Sequence, residues 1–144
     1  MTCADDERGK IHNLPRYRQP VCFGGLKYGR ITPTDVDGLI EYRSKVFVFY
    51  ELKLRNTQIP EGQKKALERI VNVLRDNGKH AVLFKCEHDV GNTDEQVDAS
   101  EAEVTEVYFD GKWLNYSGRT AREVTDSYFK YLKGKYNADT PLDE

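Results

Sequence analysis

Two acidic residues and one lysine in the first half of the chain have the types and spacing of a metal-dependent hydrolytic site. Asp37 opens one predicted strand, and Glu51 and Lys53 lie two residues apart near the end of the next. Because alternate residues of a strand point to the same face, Glu51 and Lys53 share a face. Two carboxylates suffice for Mg²⁺, which fills its other positions with waters and phosphate oxygens. A lysine beside them can orient the attacking water or balance charge that develops on the phosphate.

The two strands that would carry these residues form a predicted β-hairpin. Residues 37–42 and 46–54 are rich in aromatic and β-branched side chains, and residues 43–45 connect them. A three-residue loop pairs residues whose numbers sum to 88, which places Asp37 directly opposite Glu51. Opposite Cβ atoms are about 4.5 to 5.5 Å apart, so two carboxylates there repel each other unless a cation offsets them. A two-residue loop would shift this register by one.

The remaining pattern predicts an α/β domain of the α+β type, with a central mixed β-sheet flanked by helices. The first helix is expected over residues 61–77, because Pro60 suits its first turn and Gly78 lies just past its end. Gln63 lies one turn before Leu67 on the inward stripe, so its polar side chain heads toward the sheet. The other predicted elements are a short strand over residues 26–31, a buried strand over 81–84, an acidic loop over 87–101, a hairpin over 104–116, and a last helix over 120–133 that opens with a capping box at Thr120 and Glu123.

Length and charge define the predicted organisation of the chain. Its 144 residues fit a flexible basic arm over residues 1–20 and a single domain over 21–144. The net charge of −2 conceals segregation, because residues 8–34 carry six basic residues without an acid and residues 87–110 carry nine acids without Lys or Arg. Basic side chains displace counterions from phosphates, so the first segment predicts a nucleic-acid surface, from which the acidic segment should face away. The candidate contact residues are Arg16, Arg18, Lys27 and Arg30.

Cysteine usage and the N-terminus predict a cytoplasmic protein. Cys3, Cys22 and Cys86 are widely spaced and form no C-x-x-C, which favours reduced thiols over a disulfide framework or a zinc site. The first residues lack the basic start and apolar stretch of a secretory signal. No apolar run approaches the roughly 20 residues that span a bilayer.

The run TDVDG at residues 34–38, the run FYELK at 49–53 and Gln63 resemble the PD-(D/E)xK nuclease superfamily, most of all its Holliday-junction-resolvase and virus-type replication-repair branches. The resemblance covers about residues 30–88. It implies a restriction-endonuclease-like core, here with an added C-terminal hairpin and helix. It also implies a DNA phosphodiesterase, acting on branched or recombination and repair intermediates.

Site roles follow from the resemblance residue by residue. Asp37 and Glu51 would bind Mg²⁺ or Mn²⁺, Lys53 would assist the attacking water, and Gln63 would support the site. The superfamily often adds an acid from an N-terminal helix, for which this chain offers Glu7. Asp35 competes with Asp37 as the metal ligand. Asp37 is preferred, because it faces Glu51 in the expected register.

Other interpretations of the same residues stay open. Asp35 and Asp37 could be turn residues, Glu51 and Lys53 an exposed pair on an edge strand, and Gln63 an ordinary first-turn residue. The charged segments could be ordinary solvated faces. The fold could also serve a non-enzymatic nucleic-acid-binding or regulatory module, or a protein-binding module whose acidic segment imitates nucleic acid. DNA is favoured over RNA through the resemblance alone. Trp113 and Tyr116 are interpreted as core or homodimer contacts rather than a base-stacking platform.

Overall fold

The computed structural model describes residues 18–144, which fall into two compact units. The first unit ends at Asp35, and the second spans Val36–Glu144. The predictions for Glu7, Arg16 and most of the basic arm lie outside the described residues, and the predicted domain boundary at residue 20 stays a prediction. In the first unit, a 3₁₀ turn covers Gly24–Leu26.

The prediction of a strand over residues 26–31 is wrong. Tyr28 and Ile31 form one isolated antiparallel bridge, with each backbone N–H donating to the other's carbonyl at 2.9 Å. Between them Gly29 has a φ of 61°, a left-handed conformation that glycine adopts without strain. The segment therefore reverses direction in a tight turn instead of extending as a strand.

The second unit is an α+β fold with a five-stranded mixed sheet and two helices, as the sequence predicts. The elements are β1 (Gly38–Tyr42), β2 (Val46–Leu54), α1 (Glu61–Asp76), β3 (His80–His88), β4 (Glu103–Phe109), β5 (Lys112–Asn115) and α2 (Ala121–Tyr136), with 3₁₀ turns at Ala99–Glu101 and Pro141–Asp143. The strands lie in the order β1 to β5, and β2 and β3 are parallel while every other neighbouring pair is antiparallel. Helix α1 makes the crossover between β2 and β3.

The hairpin of β1 and β2 has the expected register. Its pairs run from Tyr42 opposite Val46 to Gly38 opposite Tyr50, so paired numbers sum to 88. The loop between the strands is three residues long, and its first two residues adopt positive φ angles of 49° and 61°. The same register, continued by one residue, sets position 37 beside position 51.

The two helices cover opposite faces of the sheet, and alternate residues of β2 divide between them. Phe49 packs with Leu67 and Val71 of α1, whereas Val48 packs on the α2 side with Tyr128 and Leu132. The hydrophobic pattern therefore fixes which face each strand residue meets. Glu51 and Lys53 continue the face that Phe49 occupies, so they lie on the α1 side of the sheet.

Local signals explain where the helices begin and end. The Thr120 hydroxyl accepts a hydrogen bond from the Glu123 N–H at 3.2 Å, and the Glu123 carboxylate accepts one from the Thr120 N–H at 2.9 Å. This is the predicted capping box, and it opens α2. Just past the end of α1, Gly78 has a φ of 79°. Among residues 18–144, no helix is both long enough and apolar enough to cross a membrane.

Strand β3 is longer than the sequence predicts. The apolar run suggests residues 81–84, but the strand continues to His88 through Lys85 and Glu87, which the sequence places at the border of the acidic loop or within it. Both side chains are buried, at 3% and 7% exposure. A buried charge is tolerated only when it is paired, and these two form an ion pair at 3.0 Å. Their pairing allows two charged residues to extend a buried strand.

Candidate active site

The predicted site residues lie where β1 begins and β2 ends. Asp37 directly precedes β1 and is exposed, while Glu51 and Lys53 lie in the second half of β2. Strand β2 lies between β1 and β3, so the interpretation of Glu51 and Lys53 as an edge-strand pair is wrong. The exposed fraction of Glu51 is 1%, and that of the Lys53 side chain is 21%. The site thus combines a buried acid with partners that reach solvent.

All four predicted residues come together around Glu51. The Gln63 Nε2 donates a hydrogen bond to Glu51 Oε1 at 2.9 Å, and the Lys53 Nζ lies 3.6 Å from the same oxygen. The Asp37 Oδ2 accepts a hydrogen bond from the Leu52 N–H at 2.8 Å, which fixes its carboxylate against β2. The Gln63 contact arises because α1 starts beyond the end of β2 and its first turn passes back over that strand.

The second oxygen of Glu51 is different. Oε2 is fully buried, and among the described residues it receives no hydrogen bond while both carboxylates are ionised. Burial, followed by the hydrogen bonding and charge of the neighbouring Asp37 carboxylate, raises the pKa of Glu51 to about 7, against the opposing effects of Lys53 and Gln63. Two carboxylates this close need either a shared proton or a cation between them. Either a proton shared with Asp37 or a bound cation would therefore relieve this arrangement.

The donor set fits a hard divalent cation such as Mg²⁺ or Mn²⁺. Asp37 and Glu51 would supply carboxylate oxygens, and Mg²⁺ ordinarily takes one or two carboxylates with waters completing its shell. The part of the chain that the structure describes contains no group of three or more His, Cys, Asp or Glu residues able to hold a metal. A site of two carboxylates, open to solvent on the Asp37 side, is consistent with a metal that keeps several waters and takes up phosphate oxygens.

A second charged cluster, not predicted from the sequence, adjoins the site on β3. In the parallel register Lys85 lies beside Glu51, and Glu87 lies beside Lys53. The order of charges on β3, K-x-E, is therefore the reverse of E-x-K on β2. A signal was present in the sequence, because Lys85 and Glu87 continue the alternation of an apolar strand with two opposite charges.

The predicted phosphate-binding residues within the described range are exposed. Arg18, Lys27 and Arg30 all lie in the unit that ends at Asp35. Much of the acidic segment, in contrast, is engaged by basic residues of the same chain. Its ion-paired members are Glu87 and Glu106 with Lys85, Asp89 and Glu103 with Arg55, and Asp110 with Arg75. This pairing leaves less free negative charge than the sequence suggests for a surface that imitates nucleic acid.

Comparison with known proteins identifies no relative of this chain. No protein-family model, no curated protein and no solved structure matches the chain. The likeness to the PD-(D/E)xK superfamily therefore stays a resemblance of motif residues.

Proposed function

We propose that this chain is a metal-dependent deoxyribonuclease with Asp37, Glu51, Lys53 and Gln63 as its active site. The observation that carries the proposal is the buried Glu51 Oε2, which has no donor among the described residues and belongs to a carboxylate that neighbours Asp37. Leaving a buried charged acceptor unsatisfied costs stability, and a fold that needed only packing would favour an apolar residue there. A cation-binding role accounts for that cost.

Each residue has a chemical task that its position supports. A bound Mg²⁺ or Mn²⁺ supplies a Lewis acid and lowers the pKa of a coordinated water. Asp37 and Glu51 would hold that ion. Gln63 orients Glu51 by holding Oε1, which leaves Oε2 directed elsewhere. Lys53 is partly exposed beside the same carboxylate, so its ammonium can meet a water or a phosphate oxygen of the substrate.

The proposed substrate is DNA, including the branched intermediates of recombination and repair that the resemblance implies. The exposed Arg18, Lys27 and Arg30 provide positive charge suited to phosphates. RNA is the alternative polymer. A cytoplasmic location goes with this proposal, because two of the cysteines, Cys22 and Cys86, are free thiols.

The direct test is cleavage of plasmid, linear and branched DNA by the purified protein during titration with Mg²⁺ or Mn²⁺. Glu51→Gln should lower the cleavage rate by about 10²-fold or more, because the carboxylate loses its charge while its shape is kept. Glu41→Gln is the matched control. Glu41 lies on the same face of the hairpin, but it is exposed and accepts a hydrogen bond from the Ser44 N–H in the loop.

The two variants separate the proposal from its alternatives. Full activity of Glu51→Gln, or equal losses in both variants, would refute the site. DNA binding without cleavage in any metal would instead favour a non-enzymatic binding module, and absence of DNA binding would favour a protein-binding module.

The contribution of the basic residues is measured by salt dependence. The measured quantity is the slope of log affinity against log salt concentration. Replacing Arg18, Lys27 and Arg30 together with alanine should make this slope less negative by about 2.7 if all three side chains contact phosphates of duplex DNA. Binding is measured without divalent metal, so that cleavage does not interfere. Lys130→Ala on the exposed face of α2 serves as the control for loss of a surface charge. An unchanged slope in the triple variant would place the DNA elsewhere on the protein.

A further inference from the structure

Two glutamates flank Lys53, one on its own strand and one on the neighbouring strand. On its own strand, Glu51 lies on the same face, and its Oε1 is 3.6 Å from the Lys53 Nζ. On the neighbouring strand, Glu87 is the register partner of Lys53, and side chains of register partners lie side by side on adjacent strands about 4.8 Å apart. Simple proximity would allow Lys53 to pair with either glutamate. The structure has it beside Glu51.

The reason is visible at Glu87, whose oxygens are already engaged. Oε1 accepts a hydrogen bond from the Asn56 N–H at 2.8 Å. Oε2 accepts one from the Thr105 hydroxyl at 2.8 Å and lies 3.0 Å from the Lys85 Nζ. Lys85 supplies the only full positive charge among these three partners, and its side chain is 3% exposed.

Lys85 is held in turn by a second acid. Its Nζ lies 3.5 Å from Glu106 Oε2, on the far side from β2. The ammonium is thus anchored between β3 and β4, and it cannot reach solvent or a polymeric substrate. Any influence on the reaction must pass through its neighbours.

We propose that Lys85 is a positioning residue for the candidate active site, because by neutralising Glu87 it keeps Lys53 beside Glu51. This inference rests on the proposed function for its effect on cleavage, but its structural part does not. Without the Lys85 charge, Glu87 would remain buried with two neutral donors only. Arg55 is already paired with Asp89 and Glu103. Lys53, the register partner of Glu87, is therefore the cation expected to turn toward it and away from Glu51.

The first measurement is a crystal structure of metal-free Lys85→Met. The expected result is a Lys53 Nζ within ion-pair distance of Glu87 and no longer beside Glu51. A Lys53 that stays at Glu51 overturns the proposal. This outcome can be read whether or not the wild type cleaves DNA, so failure here is distinct from failure of the proposed function.

Kinetics provides the second measurement. Lys85→Met should lower kcat by about 10- to 100-fold, the usual cost of losing a residue that orients metal-site partners, with little change in KM. Its apparent affinity for Mn²⁺ should not weaken, because Glu51 loses a neighbouring positive charge. Simple structural damage would weaken metal binding as well as turnover, and that result would contradict a positioning role.

If Lys85→Met folds poorly, a second substitution tests whether the loss of kcat comes from the unpaired Glu87 charge. The double variant Lys85→Met with Glu87→Gln removes both charges, so nothing draws Lys53 from Glu51, and kcat should recover to about the wild-type value within a few-fold. Lys85→Arg keeps a charge at this position and should retain more activity than Lys85→Met. Lys130→Met, at an exposed site on α2, controls for loss of a lysine. A double variant as inactive as the single one refutes the competition between Glu51 and Glu87.

Discussion

Two buried glutamates on neighbouring strands of one sheet face have pKa values shifted in opposite directions. Glu51 on β2 is 1% exposed and Glu87 on β3 is 7% exposed. The pKa of Glu51 is raised to about 7 by burial and by Asp37. Burial also acts to raise the pKa of Glu87, but hydrogen bonds from Asn56 and Thr105 and the charge of Lys85 outweigh it, and the pKa is lowered.

The difference lies in the partners that the fold provides for each carboxylate. Glu87 has a hydrogen-bond donor or a cation at each oxygen, so its ionised form is stabilised by the fold alone. Glu51 accepts a hydrogen bond from Gln63 at Oε1 only, Oε2 is buried without a donor among the described residues, and the carboxylate neighbours Asp37. The fold alone satisfies Glu87, whereas the repulsion between Glu51 and Asp37 is relieved only by a shared proton or a cation. Perturbed acids in such surroundings are the usual mark of a functional site.

The largest expected effect is on the satisfied glutamate. Glu87→Gln should lower the free energy of unfolding by about 3 to 5 kcal/mol, because it leaves the buried Lys85 ammonium with Glu106 as its remaining partner. Urea denaturation at pH 7 without metal measures the change. Glu41→Gln, which alters an exposed acid, should stay within about 0.5 kcal/mol of the wild type. A comparably small effect in Glu87→Gln would show that Glu87 is not satisfied in the way its contacts indicate.

The sequence predicted the hairpin well, because its information is local. Loop length and the alternation of aromatic and β-branched residues determine which residues of β1 and β2 face each other. That register brings Asp37 to Glu51, and the helical stripe of α1 brings Gln63 to Glu51. The capping box of α2 was equally readable, since its two residues are three positions apart.

The second cluster could not be predicted in the same way. Glu87 is satisfied by Asn56 from the loop after β2 and by Thr105 from β4, contacts that depend on the complete sheet. Thr105 lies at the register shift between β3 and β4, which no local pattern reveals. Without these partners, Lys85 and Glu87 look like the polar end of a short strand. The burial of Glu51 could not be predicted for the same reason, because it depends on tertiary packing around β2.

The unsatisfied glutamate should make metal-free stability fall as pH rises. A carboxyl group whose folded pKa is raised contributes stability that is present below its unfolded pKa, here 4.5, and is lost as pH rises to about 7. A tenfold change in proton affinity corresponds to about 1.4 kcal/mol, so the full loss is on the order of 3 kcal/mol. Glu51→Gln should lack this loss and exceed the wild type in stability at pH 8.

The measurement is the difference between wild type and Glu51→Gln in metal-free denaturation from pH 4.5 to 8. Taking the difference cancels other titrating groups, such as His80, whose pKa is lowered by burial and by Arg75. Saturating Mn²⁺ should abolish the difference in slope, because a bound cation favours the ionised carboxylate. Parallel pH profiles for the two proteins without metal would contradict the raised pKa of Glu51.

The last prediction tests which aspartate completes the site. Asp37 lies in the same compact unit as Glu51, next to it in register, and Asp35 belongs to the preceding unit. Metal that binds only the folded state stabilises it by about 2.7 kcal/mol at a concentration 100-fold above its Kd. Asp37→Asn should lose that response, and it should melt at a higher temperature than the wild type without metal, because one of two repelling charges is gone.

Asp35→Asn should keep most of the metal response, with a change of roughly 0 to 1 kcal/mol in the free energy of unfolding of the metal-free protein. Thermal melts of both variants with and without Mg²⁺ or Mn²⁺ decide between them. If Asp35→Asn loses the response and Asp37→Asn keeps it, the metal ligand is Asp35, and the hairpin register does not determine which aspartate joins Glu51 at the cation.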